Sequence, residues 1–388
     1  MLIERFDCQG LCVSLYDSVT DLAAQLWDAT LADGHPYRTH AFMTTVEAVF
    51  PQRQYRYWQL RGTDDALLAL GFSSLADVDP LADVTGIGQR IVSAIRRVYR
   101  RFGLLKVAML GCYETSGRHW WIAPGVEPGS IHAAMAVVLE RAHASAQVLV
   151  YRDIAHGEAS AAAAHDVLTQ RGYAEAANYP LALILTQGRG WDAHCAALRS
   201  NCRKIINKAL ADFRQSGFTI EHHRGQVADL PRLYALYANT HAKAVEFKRE
   251  LLPYAFLERL ISDCDSIVSV LYDTAGQAQA FILTGVSETV LNPFLFGRDY
   301  HAGRTVNAYY VLHAQLLEHC AGPQVRCIDL GITNYFVKQN FGATLAPNAI
   351  YIRLRHAGLN GLLGKHIAKF FAVEQPAERS GLKRSAQA

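Results

Sequence analysis

Apolar and polar positions alternate along this chain with two periods, and the switches between them mark its elements. Short apolar runs predict strands over 55–61, 66–73, 105–112 and 148–152. Between them, helical spacing predicts helices over 19–33, 40–49 and 88–102, an alanine-rich helix ending near Ser145, and a helix over 158–171 closed by Gly172. The second half repeats the order. Helices are expected over 198–215, 230–243 and 253–263, strands over 267–273, 279–287 and 290–298, a helix over 305–320, and strands over 325–330 and 349–355. Helices, antiparallel strands, a helix and a strand, given twice, imply a duplicated α/β (α+β) module, each copy a mixed, mostly antiparallel sheet flanked by helices. The expected division is 1–187, 188–356 and a tail over 357–388.

Composition agrees with two modules, because 388 residues exceed one ordinary core. Hydrophobic residues at 51% and charged residues at 19% describe a globular chain. The net charge of +3 is too small to imply DNA as a partner. The eight cysteines are scattered without a close pair, so they are expected to be reduced thiols, and no metal site is expected. The first residues lack the basic and apolar regions of a secretory signal, and no run of about 18 apolar residues occurs. The expected location is the cytoplasm, with the inner face of the membrane as a place of contact.

Two segments carry local clusters of charge. In the helix over 198–215, Leu198, Cys202, Ile205, Ile206, Ala209, Leu210 and Phe213 share one face, while Arg199, Arg203, Lys204 and Lys208 lie off it. Such a stripe is either a solvated face or a docking surface for a coenzyme's phosphates, a transfer RNA or anionic lipid. Without interleaved aromatics it does not read as a base-stacking surface. The tail, from Gly358 to Phe371, has bulky apolar residues at helical spacing with cations among them. It either packs on the body or makes peripheral contact with an anionic membrane.

Candidate chemistry concentrates where the strand over 325–330 meets Asp329, Gly331 and a polar loop that leads to Lys338, Phe341 and Gly342. A lysine delivered from a fixed strand end is a cation aimed at a site. Asp329 is a candidate to bind an amine, and Asn334 lies in the same loop.

Residue-level matches then point to a family. Tyr151-Arg-Asp153 with Leu168 to Gly172 resembles the end of the first half in tandem proteins of the general-control N-acetyltransferase (GNAT) superfamily, and Arg199 to Lys208 is similar to the basic helix opening their second half. Leu295-Phe-Gly297-Arg298-Asp-Tyr300, with Tyr309-Tyr310, resembles acyltransferases assigned to peptidoglycan biosynthesis. Lys338-Gln-Asn-Phe341-Gly342 resembles the Lys-x-x-Phe-Gly element of the Fem aminoacyl ligases, whose matching lysine binds the reacting carbonyl region. The resemblance implies two tandem GNAT-like modules, the second catalytic, with the active site expected in the cleft between them. The chain departs from the usual Gln/Arg-x-x-Gly-x-Gly/Ala pyrophosphate loop, offering Gly303, Arg304 and Asn307 instead.

These residues define an expected chemistry. Acyl transfer to an amine passes through an oxyanion, which Lys338 would stabilise. His241 or Glu246 would take the amine's proton, and Tyr310 would protonate the leaving group. Arg298, Gly303, Arg304 and Asn307 would hold the donor's phosphates, while Asp299, Tyr309, Asp329, Asn334, Arg203 and Lys204 would contact substrate. The expected activity is N-acylation of a primary amine, lipid-like or sphingoid in type, by an acyl thioester such as acyl-CoA. Acyl-CoA would act as co-substrate, with no tightly bound cofactor. Two alternatives stay open: a Fem-like enzyme using aminoacyl-tRNA to extend a peptide or peptidoglycan precursor, and a catalytically inactive GNAT pair that only binds.

Overall fold

A computed structural model of the chain describes residues 1–79, 81, 86–156, 160–244, 250–300 and 306–383. The first half runs β1 (Leu2–Cys8), β2 (Leu11–Tyr16), α1 (Ala24–Trp27), α2 (His40–Val49), β3 (Gln54–Arg61), β4 (Leu67–Val78), α3 (Gly86–Val98), β5 (Leu105–Leu110), β6 (Trp120–Ile122), α4 (Pro128–Ala142), β7 (Val148–Ala155), α5 (Ala161–Gln170) and β8 (Ala174–Ala177). The second runs β9 (Leu181–Leu185), α6 (Trp191–Ala197), α7 (Ser200–Ser216), β10 (Thr219–Arg224), α8 (Leu230–Ala242), α9 (Tyr254–Ser262), β11 (Ser266–Tyr272), β12 (Ala278–Val286), β13 (Val290–Arg298), α10 (Ala308–Cys320), β14 (Cys327–Asp329), α11 (Tyr335–Asn340), β15 (Thr344–Ala346), β16 (Asn348–Leu354) and α12 (Ala357–Phe371).

Local chemistry explains the helix ends. Asp229 accepts from the Arg232 backbone N–H at 3.0 Å and, with Pro231 in the first turn, starts α8. Gly217, at φ +73°, provides the left-handed residue that stops α7.

The elements form two compact units, each discontinuous in sequence. The first comprises Met1–Ala23, Phe50–Asn178 and Asn348–Glu374; the second comprises Ala24–Val49, Tyr179–Pro347 and the segment starting at Gln375. The first unit's sheet has the order β1-β2-β3-β4-β5-β7-β16-β8, with β6 beside β4. Its central strands are buried on both faces, so they read as continuous apolar runs. Leu149 and Tyr151 of β7 meet Met135 and Leu139 of α4 on one face, while Val148 and Val150 join Ile352 of β16 and Ile367 of α12 on the other.

The second unit's sheet has the order β10-β11-β12-β13-β14-β9-β15. Its core gathers Cys202, Ile206 and Leu210 of α7, Val311, Leu312 and Leu316 of α10, and Ile282 and Leu291 of the sheet.

This arrangement differs from the contiguous division expected from sequence. The strand expected over 349–355 forms as β16, yet it lies between β7 and β8 of the first sheet; β9, from the end of the first half, lies between β14 and β15 of the second. The two halves thus exchange a strand. Apolar patterning determines which face of a strand is buried, not which sheet receives it. Residues 24–49 likewise fold with the second unit, where the Tyr37 hydroxyl sits 3.0 Å from Ser266 Oγ and its ring 4.9 Å from that of Phe294. A Cβ on Gly285 would lie 2.8 Å from the Tyr37 ring, so that approach requires glycine.

The helix expected over 19–33 is broken instead into a 3-10 turn (Val19–Asp21), α1 and a π turn (Asp28–Ala32). Asp33 at φ +45° and Gly34 at φ +73° stop it, being in the left-handed region. The β1–β2 hairpin was not expected, because Gln9-Gly10 lacks the usual Asn-Gly or Asp-Gly turn signal.

Candidate active site

In the second unit, β13 and β14 run parallel over only two pairs, Val290 with Cys327 and Leu291 with Ile328. The register between β12 and β13 then passes from Thr284–Pro293 to Leu283–Leu295, leaving Phe294 as the extra residue of a β-bulge. Beyond this point β13 continues to Arg298 without β14, and α10 begins at Ala308. Open α/β sheets bind ligands at such carboxyl ends of strands. The second unit's candidate residues fall into three groups around this feature.

The first group lies on α10 and α11. Thr333 at φ +65° and Asn334 at φ +51° turn the chain sharply into α11, whose last turn carries Lys338. Lys338 is only 5% exposed, and its ammonium donates to the Ile332 carbonyl at 2.5 Å. Two residues on, Asn340 Nδ2 donates to the Tyr310 hydroxyl at 2.8 Å, and its Oδ1 accepts from Cys202 Sγ at 3.6 Å. The Tyr310 ring stacks on Phe341 with centroids 5.4 Å apart. Burial raises the Tyr310 phenol above its usual range, against the opposing Asn340 hydrogen bond, so the phenol keeps its proton at neutral pH.

His313 completes this group. Its Nδ1–H donates to the Tyr309 carbonyl at 2.8 Å, and its ring stacks on the Tyr309 ring at 4.0 Å. Burial drives its pKa down to about 3; the Tyr309 hydrogen bond opposes this and the Lys338 charge adds to it. The imidazole is therefore neutral beside a cation. A cavity of about 320 Å³ opens next to Cys202 and Asn340, with Arg199, Asn201, Gln339 and Arg379 among its walls.

A second group gathers cations at the end of β13. The Arg298 guanidinium and the Lys243 ammonium lie 4.2 and 4.0 Å from the Tyr300 ring centroid. Arg298 Nε is buried and makes no hydrogen bond among the described residues. The Arg298 N–H donates to Thr240 Oγ1 at 3.1 Å, which ties β13 to the last turn of α8, where half-buried His241 sits. Gly297 permits this contact, since a Cβ there would lie 2.6 Å from the Tyr237 backbone nitrogen. Asp299 pairs with Arg232 at 3.1 Å.

The third group is a buried imidazole–carboxylate hydrogen bond inside the unit. Tyr37 N–H donates to His35 Nδ1 at 3.2 Å, so Nε2 carries the proton of the neutral ring and faces Asp329 Oδ2 at 3.3 Å. Both side chains are buried, and Asp329 Oδ1 accepts from Gly331 N–H at 2.8 Å. Burial opposes the carboxylate charge, but the His35 hydrogen bond, the His35 and Arg38 charges and the Gly331 N–H together hold the Asp329 pKa below its usual value. Burial first, and Arg38 second, push His35 down to about 4, although Asp329 pulls the other way.

Lys338, Tyr309 and Tyr310 thus fall together, whereas His241 belongs with Arg298. Arg203 donates to the Ala196 and Leu198 carbonyls at 3.3 and 3.2 Å, and Lys204, Asn307 and Asn334 are exposed. Glu246, Gly303 and Arg304 lie outside the described residues. Sequence reasoning missed His35, His313 and Asn340. Of these His313 had a signal, standing four residues after Tyr309 on one helical face.

Residues 200–339 match the family model of the acetyltransferase (GNAT) domain. No curated protein gives a significant match. Among solved structures, FemX has a TM-score of 0.59 at 10% identity, with 88% of this chain and 98% of that one covered. A conserved protein of unknown function from Bacteroides thetaiotaomicron VPI-5482 gives 0.53 at 11% identity, covering 88% and 99%. The L-PGS structure from Bacillus licheniformis gives 0.51 at 10% identity, covering 91% and 98%. At these identities the likeness is one of fold. Residues 200–339 thus carry an acetyltransferase (GNAT) domain, and the chain as a whole has a fold like that of FemX.

Proposed function

We propose that the protein is an N-acyltransferase that moves an acyl group from a thioester, such as acyl-CoA, to a primary amine. The observation that carries the reading is the buried Lys338 ammonium inside the GNAT domain, held by the Ile332 carbonyl where the chain turns into α11. As the amine nitrogen bonds to the thioester carbon, negative charge gathers on the carbonyl oxygen, and the Lys338 cation stabilises it. The tetrahedral adduct collapses by breaking the carbon–sulfur bond, and the Tyr310 phenol gives its proton to the departing sulfur. His241, Glu246 or a water takes the proton from nitrogen. Direct attack is favoured over a cysteine-bound intermediate, because burial raises the Cys202 thiol and leaves it protonated. Arg298 and Lys243, with Gly303, Arg304 and Asn307 further along the sequence, take the donor's phosphates. Asp299, Asn334, Arg203 and Lys204 remain candidates for substrate contact; Asp329, taken up by His35 and the Gly331 N–H, holds the loop into α11 instead.

The acceptor in this reading is a lipid-like amine of the sphingoid type, met at the inner face of the membrane. Apolar residues left exposed on α12 support it. A second reading, transfer from aminoacyl-tRNA to a peptide or peptidoglycan precursor, is supported by the FemX likeness in fold and by the exposed cations of α7.

Thermal shift separates the two. A ligand at tenfold its Kd adds about 1.4 kcal/mol of stability. Stabilisation by acyl-CoA, increasing with chain length, is the expected result. Stabilisation by charged tRNA alone, abolished by ribonuclease and steeply salt-dependent, would replace the first reading with the second. No response to either would favour a binding module.

A further inference from the structure

Helix α12 presents its large apolar residues outward. At 100° per residue, Gly364 and Ala368 face the first unit and are buried, with Ile367 beside them on the apolar cluster of that sheet face. Asn360 fixes this orientation: its Oδ1 accepts from the Leu354 N–H at 2.9 Å and its Nδ2 donates to the Gly172 carbonyl at 2.8 Å. The opposite face carries Leu359, Leu362, Leu363 and Phe370, which are 49, 71, 40 and 77% exposed. A helix held to its body by small residues while its leucines and phenylalanine face water has an unused hydrophobic surface.

The charges around that surface define what covers it. Lys365 and Lys369 flank the apolar stripe on one side, His366 lies within it, and no acidic residue occurs between Ala357 and Phe371. No helix among the described residues is long and apolar enough to cross a membrane, so α12 can only lie along one. A second protein copy offering the same basic rim would meet like charge with like charge, whereas an anionic lipid surface complements both the rim and the stripe.

We propose that α12 is a membrane-docking helix, laying Leu359, Leu362, Leu363 and Phe370 into the headgroup boundary of an anionic bilayer with Lys365 and Lys369 on the lipid phosphates. Because the stripe lies opposite the packed face, docking requires no rearrangement of the first unit. The inference deepens the membrane contact of the proposed function, and because its test uses no substrate, its failure would leave the acyl-transfer chemistry untouched.

The test is co-sedimentation of the full chain with vesicles of phosphatidylcholine alone and with about one quarter phosphatidylglycerol. The expected result is binding to the anionic vesicles, weaker by at least about tenfold on the neutral ones. The double variant Leu362→Asp/Phe370→Asp should lose binding while keeping the wild-type melting temperature, since both residues are solvent-exposed. Lys365→Glu and Lys369→Glu should each weaken binding by about fivefold or more. Failure to bind anionic vesicles, or equal binding by the double variant, would overturn the proposal. So would light scattering that shows a dimer which Leu362→Asp converts to a monomer, because the stripe would then belong to a second copy.

Discussion

His35 Nε2 lies 3.3 Å from Asp329 Oδ2, joining a residue near the start of the chain to the carboxyl end of β14. The pair explains why residues 24–49 belong to the second unit: they deliver the partner of a carboxylate that could not otherwise be buried as an ion. Asp329 in turn fixes the loop leading to α11 through the Gly331 N–H.

Removing one partner should therefore be costly. His35→Ala leaves the Asp329 carboxylate buried without its donor, and a loss of about 3 kcal/mol is expected in chemical denaturation. Asp329→Asn should cost less, and the double variant should fall short of the sum, since the two sites share one interaction. Additive losses would show that the pair is not coupled.

The buried imidazoles set an acid limit on stability. His35 and His132 are both pushed down to about 4 by burial, below an unfolded value of 6.5. As pH falls from 6.5 towards 4 the unfolded chain takes up protons that the folded one refuses, so stability drops in that window. Between pH 7 and 5 each should remove on the order of 2 kcal/mol. Urea denaturation at the two pH values measures the change, and a flat profile would contradict the buried neutral rings.

Gly297→Ala tests the contact between β13 and α8. The new Cβ would lie 2.6 Å from the Tyr237 backbone nitrogen, so α8 must move. A loss of about 1–3 kcal/mol is expected, together with weaker donor binding as Thr240 draws away from Arg298. Unchanged stability would mean that α8 yields freely.

The double variant Ile350→Pro/Ile352→Pro, which breaks β16 and leaves the segment from Gln375 in place, tests the exchanged strand. With β16 broken, the edge strand β8 loses its partner and β7 loses one of its two neighbours. The expected outcome is proteolysis within β7 and β8 while β10 to β15 stay protected. Equal protection of both sheets would contradict the exchange.

Many of the longer elements could be read from apolar periodicity, because burial on one or two faces leaves a direct trace in sequence, whereas short strands such as β6, β8, β9 and β15 leave too few positions to show a period. The strand before Lys338 was also legible, but the polar loop expected after it contains α11, too short a helix to show a period. The destination of β16 was not, since pairing partners are chosen by edges distant in sequence. His35 was invisible for a related reason: its role comes from Asp329, 294 residues away. The π turn before Gly34 escaped because its residues look like ordinary helix formers.

The central claim is that the Lys338 ammonium stabilises the reacting carbonyl. Lys338→Met keeps the buried stem and removes the charge, so its rate of amide formation from acyl-CoA and a panel of primary amines, sphingoid bases among them, tests the claim most directly. Wild type should release one thiol per amide formed, and the variant should be slower by about 10²–10³-fold with its fold intact. Amide formation by the folded variant at the wild-type rate would contradict the account.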